Sequence, residues 1–157
     1  MEKIRAMATM ASVLTALSAC TPPSKPNGPD LVREQSDIRE HLSEVITLDG
    51  FSHGVRRHRD GPEHYDEINI NISLDSLKGR HLSLEKLMTD IGWICAHPNY
   101  AHLPIRIFIG AGDDDDQMYL YAILATAVRG RPNVALLTAG DSRNQLIVNV
   151  LHRDRGE

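Results

Sequence analysis

The sequence predicts a small α/β fold of the two-layer α+β kind, in which helices pack on one face of a mixed sheet. Three patterns support this prediction. Residues 65–74 alternate apolar and polar side chains, which is typical of a half-buried strand. Residues 83–95 repeat apolar side chains at helical spacing, and residues 103–109 alternate again. With the segments around them, these patterns give the element order α-β-α-β-α-β-β.

The first half of the predicted domain contains a helix, a loop and a strand. We expect Asp30 to cap a helix whose apolar residues, between positions 31 and 46, recur at helical spacing. Residues 51–64 contain two isolated glycines and no periodicity, so they are predicted to form a loop. The strand over residues 65–74 has isoleucines on one face and asparagines on the other. We expect its polar face to meet solvent or a partner.

The second half of the domain alternates helices and strands. The expected elements, in order, are a helix capped by Ser83 and ended by residues 97–99, a strand over 103–109, a helix from Asp113 to about Arg129, a strand over 133–138, a turn over 139–144 and a last strand over 145–152. A strand-helix-strand-helix-strand succession places both helices on the same face of a small sheet.

The first 20 residues have the pattern of a secretory signal. Lys3 and Arg5 supply positive charge, and residues 6–19 are uncharged and too short to span a bilayer stably. The run ends in Leu17-Ser18-Ala19-Cys20, a branched apolar residue and two small residues before a cysteine. This ending resembles the lipobox of bacterial lipoproteins.

The lipobox resemblance implies a lipid anchor. Residues 1–19 would be the signal peptide, the Cys20 thiol would receive diacylglycerol, and the chain would be cut before Cys20 and acylated at its new amino terminus. Each buried methylene contributes about 0.8 kcal/mol, so two or three acyl chains hold a protein firmly on a membrane. Thr21 follows the cysteine, which implies the periplasmic face of the outer membrane in a Gram-negative host.

Residues 20–30 link the expected anchor to the domain. Four prolines and a glycine over positions 21–30 exclude a helix or central strand and predict a semi-rigid tether. Residues 31–157 are then expected to form a single periplasmic α/β domain.

Part of this domain is similar in pattern to the periplasmic domain of the ExbD/TolR family. The likeness lies in INISLDSLKGRHLSLEKL and in LPIRIFIGAGDDDD followed by a helix and NVALLTA, and it covers about residues 68–139. That family also has an amino-terminal transmembrane helix with a functional aspartate, and no such helix is predicted here. The resemblance therefore implies a two-layer envelope module and not the family's motor role.

Charge and cysteine content restrict the function classes. Without residues 1–19 the chain has 15 basic and 20 acidic residues, from 17 and 21 less two and one, and a net charge of −5. Such a chain is not expected to bind nucleic acid. If Cys20 is acylated, Cys95 has no partner for a disulfide and is expected to be a small buried apolar residue.

One stretch is basic in this acidic chain. Arg56, Arg57, His58 and Arg59 are consecutive within the predicted loop. They are candidates for contact with an anionic partner, which could be a lipid headgroup, a cell-wall carboxylate or an acidic protein.

Other constellations do not predict chemistry. Residues 113–116 are four aspartates that are expected to cap a helix, and Asp113, Asp115 and Asp116 are the nearest candidates for a metal site, although they lack the spacing of a calcium loop. Neither a metal nor another cofactor is expected. Cys95, His97 and His102 lack zinc-site spacing, and Asp141, Ser142 and His152 lack the sequence context of a catalytic triad.

The sequence therefore predicts a lipid-anchored, non-enzymatic module for protein interaction or envelope assembly. An envelope protein is the expected partner. The alternatives are a peptidoglycan-binding protein and an inhibitor or immunity-type lipoprotein.

Overall fold

The computed structural model describes residues 31–140 and 143–152. The predicted signal peptide, Cys20, the tether and the Asp30 cap lie outside this part of the chain, as do Asp141 and Ser142. Within it, no helix is both long enough and apolar enough to cross a membrane.

The described chain contains four helices and five strands. In order they are α1 (Leu31–Leu48), β1 (His53–His58), β2 (Tyr65–Asn71), α2 (Leu74–Lys78), α3 (Leu82–Cys95), a 3-10 turn (Pro98–Tyr100), β3 (Ile105–Gly110), α4 (Asp114–Val128), β4 (Val134–Thr138) and β5 (Gln145–Leu151). The predicted class, a small α+β fold with a mixed sheet, is confirmed.

The five strands form one sheet in the order β1-β2-β5-β3-β4. Strand β5 pairs antiparallel with both β2 and β3, and β4 pairs parallel with β3. Strand β1 pairs antiparallel with β2 and forms one edge of the sheet. The last strand thus lies at the centre, which ties both halves of the chain into one unit.

The core lies between the sheet and the three longer helices. Each of β2, β3 and β5 buries alternate apolar residues, such as Ile68, Ile107 and Val148, against α1, α3 and α4. Residues of opposite parity, including Asn69 and Arg106, are only half-buried. This alternation is the period-two pattern from which β2 and β3 were predicted.

Strand β1 is the main difference from the predicted element order. The prediction that residues 51–64 form a loop is wrong for His53–His58, which is a strand, and is confirmed for residues 59–64. Its four central residues are exposed, since an edge strand has only one neighbour. Exposure removes the need for alternating apolar residues, so the pattern that revealed the other strands is missing.

Two element boundaries next to α2 also differ from the predicted ones. The strand predicted over 65–74 ends at Asn71, and Ser73 caps α2 by accepting a hydrogen bond from the Ser76 amide at 3.1 Å. The prediction that Ser83 caps the next helix is wrong, because α3 begins at Leu82 and its N-cap residue is His81.

Candidate functional site

The basic hairpin, defined as residues 53–71 with strands β1 and β2, contains the four basic residues singled out above. Its register pairs Arg57 with Asp66 and His58 with Tyr65. The turn between the strands forms an open cavity of about 550 Å³, lined by residues 56–63 and Tyr65. Because β1 is an edge strand, side chains on this hairpin are accessible to a partner.

Arg57 is bound within the protein. Its Nε donates to Asp66 Oδ1 at 2.7 Å and its Nη2 donates to Oδ2 at 3.2 Å. The Asp66 side chain is only 1% exposed, and Arg39 and His152 each lie 3.5 Å from it. Arg57 therefore holds β1 against a buried carboxylate that α1 and the chain beyond β5 also contact.

The environment of Asp66 keeps it ionised. Burial alone would raise the pKa of this carboxyl. The hydrogen bond and charge of Arg57, together with the charges of His152 and Arg39, outweigh burial and hold the pKa below its ordinary value. Asp66 is thus a charged residue of the core, and its role is to fix three elements together.

His58 also has partners within the hairpin. Its Nε2 lies 3.0 Å from Glu67 Oε2. Its ring stacks on Tyr65, with 4.4 Å between ring centroids and 17° between planes. These contacts orient the histidine along the sheet and leave it less available to a partner than a loop residue would be.

Arg56 and Arg59 are the two members of the basic stretch that have no ion-pair partner among the described residues. Both are exposed, and neither forms an ion pair with any other residue in 31–140 or 143–152. The turn beside them is anchored where Arg106 donates to Glu63 at 2.6 Å and 2.9 Å. The hairpin therefore presents two unpaired guanidinium groups beside a fixed turn.

Two of the three acidic candidates for a metal site, Asp113 and Asp116, are paired with cations of the protein itself. Asp113 caps α4 through a 2.8 Å hydrogen bond from the Asp116 amide and also contacts Lys78. Asp116, which is buried, lies 2.7 Å from Lys78 Nζ and 3.2 Å from Arg80 Nη2. Asp115 is exposed and is not part of this cluster. In the described chain, no three histidine, cysteine or acidic residues are grouped as metal ligands.

The remaining candidates for chemistry are dispersed. Cys95 is completely buried, and burial raises the pKa of its thiol to about 12. The Nδ1 of His97 accepts a hydrogen bond from the Asn99 amide at 3.3 Å, whereas His102 pairs with Glu34 on α1. A thiol with so high a pKa is neutral at physiological pH, and Cys95 packs as a small apolar residue of the core.

The sequence analysis did not identify Asp66, the residue that binds Arg57 and so distinguishes it from the exposed Arg56 and Arg59. A signal was present, because Asp66 has the same parity along β2 as the buried Ile68 and Ile70. A carboxylate on a buried face requires a cationic partner. Identifying Arg57 as that partner also required β1 and its register, which the sequence did not reveal.

No protein-family model, no curated protein and no solved structure matches this chain. The lipobox and ExbD/TolR resemblances therefore stay predictions.

Proposed function

We propose that this chain is a bacterial lipoprotein held by acyl chains on Cys20 at the periplasmic face of the outer membrane. Its domain binds an envelope protein and catalyses no reaction. The lipobox-like Leu17–Cys20 and the proline-rich residues 20–30 support the anchor. A proline-rich segment is a semi-rigid spacer, which would hold the domain away from the membrane surface.

The observation that carries the binding role is the pair of free arginines on the basic hairpin. Arg56 and Arg59 are exposed cations on a chain whose formal net charge is −4. Guanidinium groups bind carboxylates in bidentate geometry and are weakly hydrated, which favours their use at interfaces. The partner is therefore an acidic protein surface that contacts the hairpin.

The distribution of titratable groups supports a binding role over catalysis. Asp66 and Asp116 are buried, and each is neutralised by at least two cationic side chains. Enzyme sites instead bring an acid, a base or a nucleophile together in a cleft with room for a substrate. The hairpin cavity is lined by basic and turn residues together with Asp60 and Glu63, and two of its titratable groups are already paired within the protein, His58 with Glu67 and Glu63 with Arg106.

Peptidoglycan is the second candidate partner. Its peptide stems carry carboxylates, and a cavity of about 550 Å³ beside two arginines could hold a short acidic stem. An inhibitor or immunity-type lipoprotein would use the hairpin against another protein. Identifying the molecule that binds the hairpin distinguishes these two alternatives from an assembly role.

The test is affinity purification of the full chain from its own envelope, with wild type, Arg56→Ala/Arg59→Ala and Arg56→Lys/Arg59→Lys compared. We expect wild type to capture a protein partner that the alanine variant loses. The lysine variant retains the charge and should keep a substantial part of the binding, which salt then weakens.

Three outcomes oppose the proposal in different ways. Equal capture by the alanine variant would show that the partner binds a surface other than the basic hairpin. Capture of isolated sacculi, with no protein retained, would favour peptidoglycan. Turnover of a captured molecule would contradict the non-enzymatic role.

A further inference from the structure

Helix α4 exposes a continuous stripe with acidic residues at one end, apolar residues in the middle and a basic residue at the other end. The stripe is formed by the exposed Asp114, Asp115, Met118, Tyr121, Ala122 and Thr126, the half-buried Ala125 and the exposed C-cap residue Arg129, which recur at spacings of three and four residues. Met118 is 67% exposed and Tyr121 is 39% exposed. Between Gln117 and Val128 the helix has no charged residue.

This composition is unusual for the outer face of a helix in a two-layer domain. Such a helix ordinarily has an apolar stripe toward the core and charged residues toward water. Helix α4 already buries Leu120, Leu124 and Val128 in the core, so its second apolar face has no partner in the described chain. A large exposed apolar face indicates an interaction surface.

Trp93 on α3 extends the apolar part of the stripe. It is 55% exposed. A groove of about 440 Å³ runs between it and α4, with Thr89, Ala122, Ile123, Thr126 and Arg129 among its lining residues. Tryptophan and arginine are among the residue types most enriched at protein interfaces.

The charged residues at the two ends of the stripe are exposed. Asp114 and Asp115 are exposed, in contrast to Asp116 of the same turn, which is paired with Lys78. Arg129 and Arg131 are exposed at the other end. In the part of the chain that the structure describes, none of these four residues forms an ion pair.

We propose that this stripe is the interface of a homodimer in which α4 packs antiparallel against α4 of a second copy. A two-fold axis beside Ala122 places Asp115 opposite the second copy's Arg129, and the same pair recurs at the other end. Asp114 then lies near the second copy's Arg131. The interface is isologous, so one surface supplies both halves of every contact.

The charge pattern selects a second copy as the occupant. Asp115 and Arg129 are 14 positions apart, roughly 21 Å along a helix axis. Two identical helices have the same span, so both ends match only when they run antiparallel. The small side chains of Ala122 and Ala125 at the centre allow close approach, and Trp93 then packs at the margin of the contact.

The first test uses a cysteine at the proposed axis of the full chain, purified in mild detergent. Ala122→Cys should give a symmetric dimer with a short bismaleimide cross-linker, because the two cysteines face each other. Glu44→Cys, an exposed position on α1, is the matched control and should give little dimer. Wild type measures any contribution of Cys20, and unreacted Cys95 in each variant shows that the domain is folded.

A second test reverses the charges in the Ala122→Cys background. Asp114→Arg/Asp115→Arg makes both ends of the stripe basic, and Arg129→Asp/Arg131→Asp makes both ends acidic. Each variant alone should cross-link roughly tenfold less than its parent, since like charges then meet at both ends. Mixing the two should restore cross-linking as a heterodimer, which also shows that both variants are folded.

The homodimer is contradicted if Ala122→Cys cross-links no better than Glu44→Cys. It is equally contradicted if charge reversal leaves the yield unchanged, or if the mixture fails to regain it. These outcomes are independent of the basic hairpin, because Arg56 and Arg59 lie on β1 and its turn and not on α4.

Discussion

Asp66 is the residue on which the organisation of the basic hairpin depends. It is a buried, ionised carboxylate at the point where β2, Arg57 of β1, Arg39 of α1 and His152 meet. Removing one partner of a buried ion pair is costly, because the remaining charge loses its compensation while it stays out of water. Two consecutive arginines therefore have different roles. Arg57 stabilises the fold, whereas the side chain of Arg56 is exposed and accessible to a partner.

Arg57→Ala should lower the free energy of unfolding by about 2–3 kcal/mol. This is less than the roughly 3–5 kcal/mol typical of a broken buried pair, because Arg39 and His152 remain near the carboxylate. Arg56→Ala, one position away and exposed, should change stability by about 0.5 kcal/mol or less. Urea unfolding of the purified full chain measures both. Equal effects of the two substitutions would contradict the assigned roles.

The lowered pKa of Asp66 predicts a loss of stability in acid. A carboxyl whose pKa is lower in the folded chain than in the unfolded chain stabilises the fold at pH values above its unfolded pKa, which is about 4. This contribution is lost as pH falls through the lower, folded value. Because Asp66→Asn cannot titrate, the stability difference between wild type and this variant should shrink from pH 7 to pH 3. A difference that stays constant across this range would show that Asp66 is not held in its charged form.

Helices α3 and α4 pack closely against each other, and their contact depends on a glycine. A Cβ added to Gly92 would lie 2.5 Å from the Cβ of Ala127. Non-bonded carbon atoms do not approach so closely, so one helix would have to move. Gly92 therefore sets how closely α4 approaches α3, and with it the position of the exposed stripe.

Gly92→Ala should be destabilising despite the better helix propensity of alanine. Overpacking costs about 1–3 kcal/mol, against a propensity gain of about 1 kcal/mol. Gly92→Ala/Ala127→Gly exchanges the two residues and should recover most of the loss, which thermal unfolding can measure. Gly54→Ala is the control, because a Cβ there meets nothing within 4 Å. If Gly92→Ala is as stable as that control, the helices do not touch as described.

The elements also show where sequence patterns are sufficient. Strands β2 and β3 were predictable because each has one buried and one half-exposed face, which imposes period two. Helix α3 was predictable because its apolar residues follow the helical period. Strand β1 and the five-residue α2 were missed, since an exposed edge strand and a single turn of helix bury too little to impose a pattern.

At the scale of the whole molecule, the sequence identified the basic stretch but did not show which of its arginines is paired within the protein. That pairing follows from a strand register that brings Asp66 beside Arg57, nine positions away. The free arginines of the hairpin lie on β1 and its turn, whereas the proposed dimer stripe lies on α4. The proposed partner and the proposed second copy would therefore use separate surfaces, and the proposed anchor would confine both to the membrane.

The proposed lipid anchor depends on Cys20, and Cys20→Ser tests it most directly. The wild-type full chain, Cys20→Ser and the matched variant Cys95→Ala are expressed in a Gram-negative host with a radiolabelled fatty acid, and membranes are separated from soluble protein. Wild type and Cys95→Ala should be labelled and sediment with the outer membrane, since Cys95 is buried in the core. Cys20→Ser should lose both the label and the membrane retention. If Cys20→Ser keeps its label and stays with the membrane, the chain is not a lipoprotein anchored at this residue.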